Sequence, residues 1–443
     1  MRDWSFLFIS LLLFTSEAFA GAGQSWAHKA FASQKIQLPQ SDQYSTDQPL
    51  LLMVDASCLQ QSQKGKPRQH FRGFDLLVKD SPGVEFPGWT AYPQAGISPS
   101  ELEASLLTEE CLIGVSAEAR TQVAAVSDPK LNEQIAWSAI RLSEGDDFFR
   151  HPLWGVGKPV VAAVIDSGLQ LNHPDLSPRL WQGPAGQRGH DFVNDDGDPS
   201  DDHGHGTHVA GILGAQSQNG IGGRGVMGDW IQMMALKTQD EEGGGSLADL
   251  VNALQWAADH GVEVINLSIS ARQKNTAVEG AIQYAIGKGA VVLAAAGNDG
   301  EEVTATNFFL PSGYAKDNGG LISVGSYDAL TFLRSSFSNF SSTFIEMTAP
   351  GSVQGSPGLL STFLGSGYLN LKGTSQATPQ VSGAAALSIS FYKTHSLPYS
   401  PAQIEQVIQH ASVTPERRLD MKRLGILLFN SGPVAATGGF DDE

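Results

Sequence analysis

Four strand-length apolar runs, spaced along the second half of the sequence, constrain its fold more than any other feature. They cover residues 160–165 (Val-Val-Ala-Ala-Val-Ile), 233–237, 262–269 and 290–296. The first is apolar on both faces, as a parallel strand buried between two layers must be. Between the second and third, Leu247, Leu250, Val251, Leu254 and Ala258 recur at helical spacing. Strands alternating with helices predict an α/β architecture, a mostly parallel sheet with crossover helices.

In such a sheet, ligands bind beyond the carboxyl ends of the strands, so the residues there carry the chemistry. The run 160–165 ends in Asp166-Ser167-Gly168. His205-Gly206-Thr207-His208-Val209-Ala210-Gly211 follows, turning helical near Thr207. Gly373-Thr374-Ser375-Gln376-Ala377-Thr378-Pro379 opens a long segment of small residues, and Pro379 is tolerated only near a helix start. An Asp to orient an imidazole, a His to take a proton and a Ser hydroxyl are the groups needed for nucleophilic acyl transfer. Each has a plainer reading alone: a turn-capping Asp, a metal-binding His among His203 and His208, an N-cap Ser. Neither an HExxH zinc pattern nor a Gly-x-Ser-x-Gly elbow occurs.

The chain order Asp, His, Ser is that of the subtilases, and residues from about 127 to 430 resemble a subtilase catalytic domain. The resemblance implies a subtilisin-like three-layer fold and a serine endopeptidase with Asp166, His205 and Ser375 as triad, His208 being structural. Gly297-Asn298-Asp299-Gly300 resembles the family's oxyanion segment, which gives Asn298 that role. Substrate would lie extended between Gly243-Gly244-Gly245-Ser246 and Ser268-Ile269-Ser270, making Gly244, Ser268, Ile269 and Ser270 the binding residues. Subtilases usually carry glycines where Ser270 and Ala271 stand, so pocket preference is open. The resemblance also suggests structural calcium: Asp175, with the Asn219 loop, matches a calcium-binding position. The acidic loop holding Asp191, Asn194, Asp195, Asp196, Asp198, Asp201 and Asp202 resembles a calcium loop, with Asp196 and Asp198 as candidate ligands. A solvated acidic loop is the alternative. No cofactor is needed for the chemistry itself.

At 443 residues the chain exceeds one ordinary domain. Residues 4–14 are an apolar run of signal-peptide length, followed by Ala18-Phe19-Ala20 as a small-x-small cleavage site. Export, secreted or periplasmic, is therefore expected, with an uncleaved anchor as the rival. Segments 50–54, 74–78 and 111–116 read as strands and 99–107 as a helix, a small α+β unit. The resemblance makes residues 21–126 a propeptide that inhibits the enzyme until self-cleavage; an independent binding domain is the alternative. Residues 431–443 read as a flexible acidic tail. The only cysteines, Cys58 and Cys111, allow a disulfide or two buried thiols.

Formal charge is −18, from 28 Lys and Arg against 46 Asp and Glu. That balance disfavours nucleic acid and anionic membrane as partners. Polypeptide substrates and a monomeric state are expected. A peptide-binding protein that does not cut, and a hydrolase of esters, are the competing functional classes.

Overall fold

The computed structural model describes residues 128–150 and 155–431, together with the backbone of four earlier strands. Two compact units divide the chain, residues 1–123 and 124–443. In the first, β1 (Leu50–Val54), β2 (Phe74–Leu77), β3 (Gly88–Pro93) and β4 (Leu112–Ala117) form an antiparallel sheet ordered β2-β3-β1-β4. The sequence indicates three of these strands and misses β3. The expected helix at 99–107, the segment 1–20, Cys58, Cys111 and the tail beyond residue 431 lie outside the described residues.

The second unit is built on seven strands: β5 (Val160–Asp166), β6 (Gly189–Asp191), β7 (Ile231–Lys237), β8 (Val264–Leu267), β9 (Val291–Ala295), β10 (Leu321–Asp328) and β11 (Met347–Ser352). Their order is β11-β10-β9-β8-β5-β7-β6, and every pairing is parallel. A hairpin of β12 (Leu359–Phe363) and β13 (Gly367–Leu371) stands apart from it. Helices are α1 (Ala136–Ala139), α2 (Leu142–Phe149), α3 (His205–Gly214), α4 (Leu247–Asp259), α5 (Thr276–Gly287), α6 (Thr374–Thr394), α7 (Pro401–Ala411) and α8 (Met421–Ser431).

The two-residue period of β5 explains the layering. Val160, Ala162 and Val164 face one core with Val209 and Ile212 of α3 and Val381 and Ala385 of α6. Ala163 and Ile165 face the other, with Leu250 and Leu254 of α4 and Ala281 and Ile282 of α5. Both sheet faces are dry, which is why the strands read as apolar rather than alternating. Caps fix where the covering helices begin: Ser246 Oγ accepts the Asp249 N–H for α4, and Asn275 Oδ1 accepts from Ala277 and Val278 for α5. The result is a three-layer α/β unit whose strand ends at Asp166, Leu267 and Ala295 open on the same side.

Candidate active site

Asp166 is the last residue of β5, an interior strand, and is 1% exposed. Its Oδ1 receives the Ser167 N–H at 2.8 Å and lies 2.7 Å from His205 Nδ1. His205 is the first residue of α3, brought there by two glycines. Gly204, the N-cap, sits at φ +98°, a left-handed conformation costly for other residues. Gly206 lets the helix approach β5: a Cβ there would fall 2.1 Å from the Gly168 carbonyl oxygen. With Nδ1–H donated to Asp166, Nε2 is the basic nitrogen. Burial opposes the imidazolium, yet the charge and hydrogen bond of Asp166 outweigh it and raise His205 above its ordinary value.

Ser375 is the second residue of α6, a helix buried from Thr374 through Phe391. Small side chains allow that burial, and the helix start directs free N–H groups into the site. Ser375 Oγ donates to the Ser268 carbonyl at 3.1 Å, and Ser268 Oγ donates back to the Ser375 carbonyl at 2.9 Å. Among the described residues no hydrogen bond joins Ser375 to His205, a contact that often tightens only with substrate present. Asn298, exposed beyond β9, accepts the Thr374 N–H (2.8 Å) and Thr374 Oγ–H (3.0 Å) on its Oδ1. Its amide is thereby oriented, and Nδ2 remains free to donate.

A cleft of about 380 Å³ runs beside this site. Asp166, His205, Ser268, Ile269, Ser270, Gly243 and Gly245 are among the residues that line it, with Gly244 between the last two in sequence. The structure therefore gathers the four candidate catalytic residues and both expected substrate edges at one end of the sheet.

Sequence reasoning missed two supporting groups. Asp201 is buried; its Oδ1 accepts from Ser167 Oγ (2.8 Å), His203 N (3.0 Å) and Gly204 N (2.8 Å), its Oδ2 from Thr207 N (2.9 Å). It fastens the start of α3 to the segment after Asp166, although the sequence groups it with calcium ligands. Lys237, the register partner of Asp166, is 1% exposed. Its ammonium donates to the carbonyls of Ser167 (3.0 Å) and Gln239 (2.8 Å) and to Asp202 Oδ1 (2.6 Å). A lysine closing an apolar strand is the one signal that could have exposed it. His208, fully buried, donates from Nε2 to the carbonyls of Leu359 and Leu369, each at 3.0 Å; burial lowers it to about 4 and keeps it neutral.

The expected metal ligands are not brought into one group. Asp196 and Asp198 are exposed and cap their own loop, accepting the Asp198 N–H (2.9 Å) and the Ser200 N–H (3.2 Å). Asp175 lies elsewhere, its oxygens taken by Asn219 Nδ2 (2.7 Å) and the Tyr368 hydroxyl (3.0 Å). Burial, with the Asp128 charge, pushes Asp175 up to about 6. Asp128, not singled out by sequence, receives the N–H groups of Gln218, Asn219 and Gly220. Among the described residues, no three His, Cys, Asp or Glu side chains converge as a metal site.

Comparison with known proteins decides the family. The subtilase family model matches residues 157–430, more than half of the chain. The chain is a subtilase. Among its relatives, the thermophilic serine proteinase of Bacillus sp. strain AK1 is 41% identical over 52% of this subtilase and 51% of that protein. Thermitase from Thermoactinomyces vulgaris is 38% identical over 53% of this chain and 76% of its own. The match thus spans about half the length of the first relative. A solved structure of proteases from Pseudoalteromonas arctica covers 69% of this subtilase and all of that chain, at 24% identity and a TM-score of 0.57, a likeness of fold.

Proposed function

We propose that this subtilase is a secreted or periplasmic serine endopeptidase that cuts polypeptides through an acyl-enzyme on Ser375. The 2.7 Å contact between Asp166 and His205, beside the helix start that bears Ser375, carries the reading. His205 Nε2 takes the Ser375 proton as the hydroxyl leaves the Ser268 carbonyl and attacks the peptide carbonyl carbon. Asn298 Nδ2 and the Ser375 N–H donate to the oxyanion. His205 then returns the proton to the departing amine, and water repeats the sequence to free the acid. Buried Asp166 holds the imidazole in the productive tautomer and stabilises its charged form. The peptide backbone lies between Gly244 and the segment Ser268, Ile269, Ser270.

Residues 1–20 act as the export signal and residues 21–126 as an intramolecular inhibitor removed by self-cleavage. Among the described residues, no helix is long and apolar enough to cross a membrane. By family resemblance, calcium belongs at the loop around Asn219, which Asp175 and Asp128 hold from two sides through Asn219 Nδ2 and the N–H groups of Gln218, Asn219 and Gly220. Bound there, the ion would tie the Asn219 loop to the body of the domain and take no part in the chemistry.

Purified full-length protein and its Ser375→Ala variant, followed by mass spectrometry with a peptide library, test the reading. Wild type alone should release a fragment ending near residue 126 and cut the library. Cleavage by the variant at the wild-type rate would refute the mechanism.

A further inference from the structure

We infer that Glu242 gives the substrate cleft a preference for a basic side chain, Lys or Arg, on the residue that precedes the acylated one. The inference rests on the peptidase reading and adds a substrate class to it. In that reading the acylated residue turns its carbonyl oxygen to Asn298 and its leaving amine to His205. Successive side chains of an extended chain point to opposite faces. The acylated residue's side chain turns away from His205, so that of the residue before it turns toward His205.

His203 connects His205 to the glycine edge. Its ring centre is 6.3 Å from that of His205, and its Nε2 lies 3.2 Å from where a Cβ on Gly243 would stand. Glu242, the residue before Gly243, lines the cleft together with both histidines. Among the described residues, the only other carboxylate lining the cleft is Asp166, which is buried and committed to His205. Glu242 is exposed, and its carboxylate has neither a hydrogen bond nor an ion pair among the described residues. No Lys or Arg lines the cleft, and the serines and Gln239 that do are neutral.

The turn that carries Glu242 is closed by Asp240. Asp240 Oδ1 accepts the Glu242 N–H at 3.0 Å and the Gly244 N–H at 2.9 Å. The Asp240 N–H donates to the Gly244 carbonyl at 2.7 Å, and its carbonyl accepts the Gly243 N–H at 3.0 Å. Gly243 sits at φ +77°, a conformation glycine adopts at little cost. The backbone at Glu242 is thus held while its carboxylate stays free. An ammonium or guanidinium entering the cleft meets that charge with no competing cation and breaks no existing contact.

Exposed pairs are weak in water, so the preference is modest, about two- to fivefold in kcat/KM. Salt at about 1 M cuts the screening length to about 3 Å and should remove most of it. The net charge of −18 attracts cations over the whole surface, whereas Glu242 acts at one substrate position.

The test uses the purified full-length chain after any self-processing, at pH 8, and peptides that differ only in the residue before the acylated one: Lys, Met or Glu. The Lys:Met ratio of kcat/KM should be about two- to fivefold higher for wild type than for Glu242→Gln, and Glu242→Lys should favour the Glu peptide over the Lys peptide. Glu241→Gln, which removes the same charge from a neighbour that does not line the cleft, should keep the wild-type ratio. Equal ratios in wild type and Glu242→Gln would overturn the inference, as would an equal fall in Glu241→Gln, which assigns the effect to the general field. Should the variants not fold, a wild-type Lys:Met ratio unmoved by 1 M NaCl overturns it. Cleavage of no peptide and no library member removes the peptidase reading itself, and the inference with it.

Discussion

Glu346 offers a direct test of the packing, because it is a carboxyl the proposed chemistry does not use. It is 9% exposed, and its Oε2 has no hydrogen-bond partner. Burial raises it from 4.5 to about 8, and the neighbouring Glu405 adds to the shift, while the Ser323 N–H and Arg417 partly offset it. The folded state therefore binds the proton more tightly than the unfolded chain. Stability from this group is complete below about 4.5 and drains away as pH rises to about 8. That interval, at ~1.4 kcal/mol per pH unit, gives an upper limit of roughly 5 kcal/mol at pH 8. Glu346→Gln keeps the shape and cannot ionise, so it escapes the loss. Measured in the Ser375→Ala background to prevent self-digestion, the Gln variant should melt within a degree or two of its parent at pH 5. At pH 8 it should melt roughly 5–10 °C higher, taking ~2 °C per kcal/mol for a domain of this size. Parallel melting curves across pH 5–9 would show that Glu346 is already ionised in the fold and that its burial has been misjudged.

Other outcomes follow from the site. Asn298→Ala should lower kcat by roughly 10²–10³, a figure measured on the corresponding asparagine of a relative, subtilisin, with little change in KM; steady-state kinetics on one peptide decide it. Because His205 is raised above its ordinary value and must be neutral to act, kcat/KM should fall on acidification with a midpoint above 6.5. A midpoint below 6.5 would contradict the Asp166 contact. Excess EDTA should lower the melting temperature, and calcium in excess should restore it; identical melting with and without chelator would remove the ion from the Asn219 loop.

Strands β5, β7, β8 and β9 were legible because both their faces are buried, so their apolar runs are nearly unbroken. Strands β10 and β11 were not, for Ser323, Gly325 and Ser326, or Thr348, Pro350 and Gly351, interrupt the pattern. Their polar side chains are satisfied only in three dimensions, as Ser326 Oγ is by Ser335 Oγ at 2.8 Å. The candidate catalytic residues were visible because each sits in a local motif. Ser270 was visible as a departure from the family, but not its neighbour's reach: Arg272 meets Glu301 across 29 positions. The acidic loop misled for a similar reason. Asp201, Asp202 and Asp191 look alike in sequence, yet one fastens α3, one pairs with Lys237 and one caps residues 193 and 194.

The burial of α6 along most of its length has a consequence for motion. An amide in the middle of α6, as at Ala384 or Ala385, is both hydrogen-bonded within the helix and buried, so it exchanges its hydrogen with solvent only through a large opening of the domain. The loop 239–246 borders the cleft and is exposed from Glu241 to Ser246, so it can open alone. Slow exchange along the helix behind the nucleophile and fast exchange at the rim would divide the labour: the element that carries the attacking atom stays fixed while the wall adjusts to each peptide.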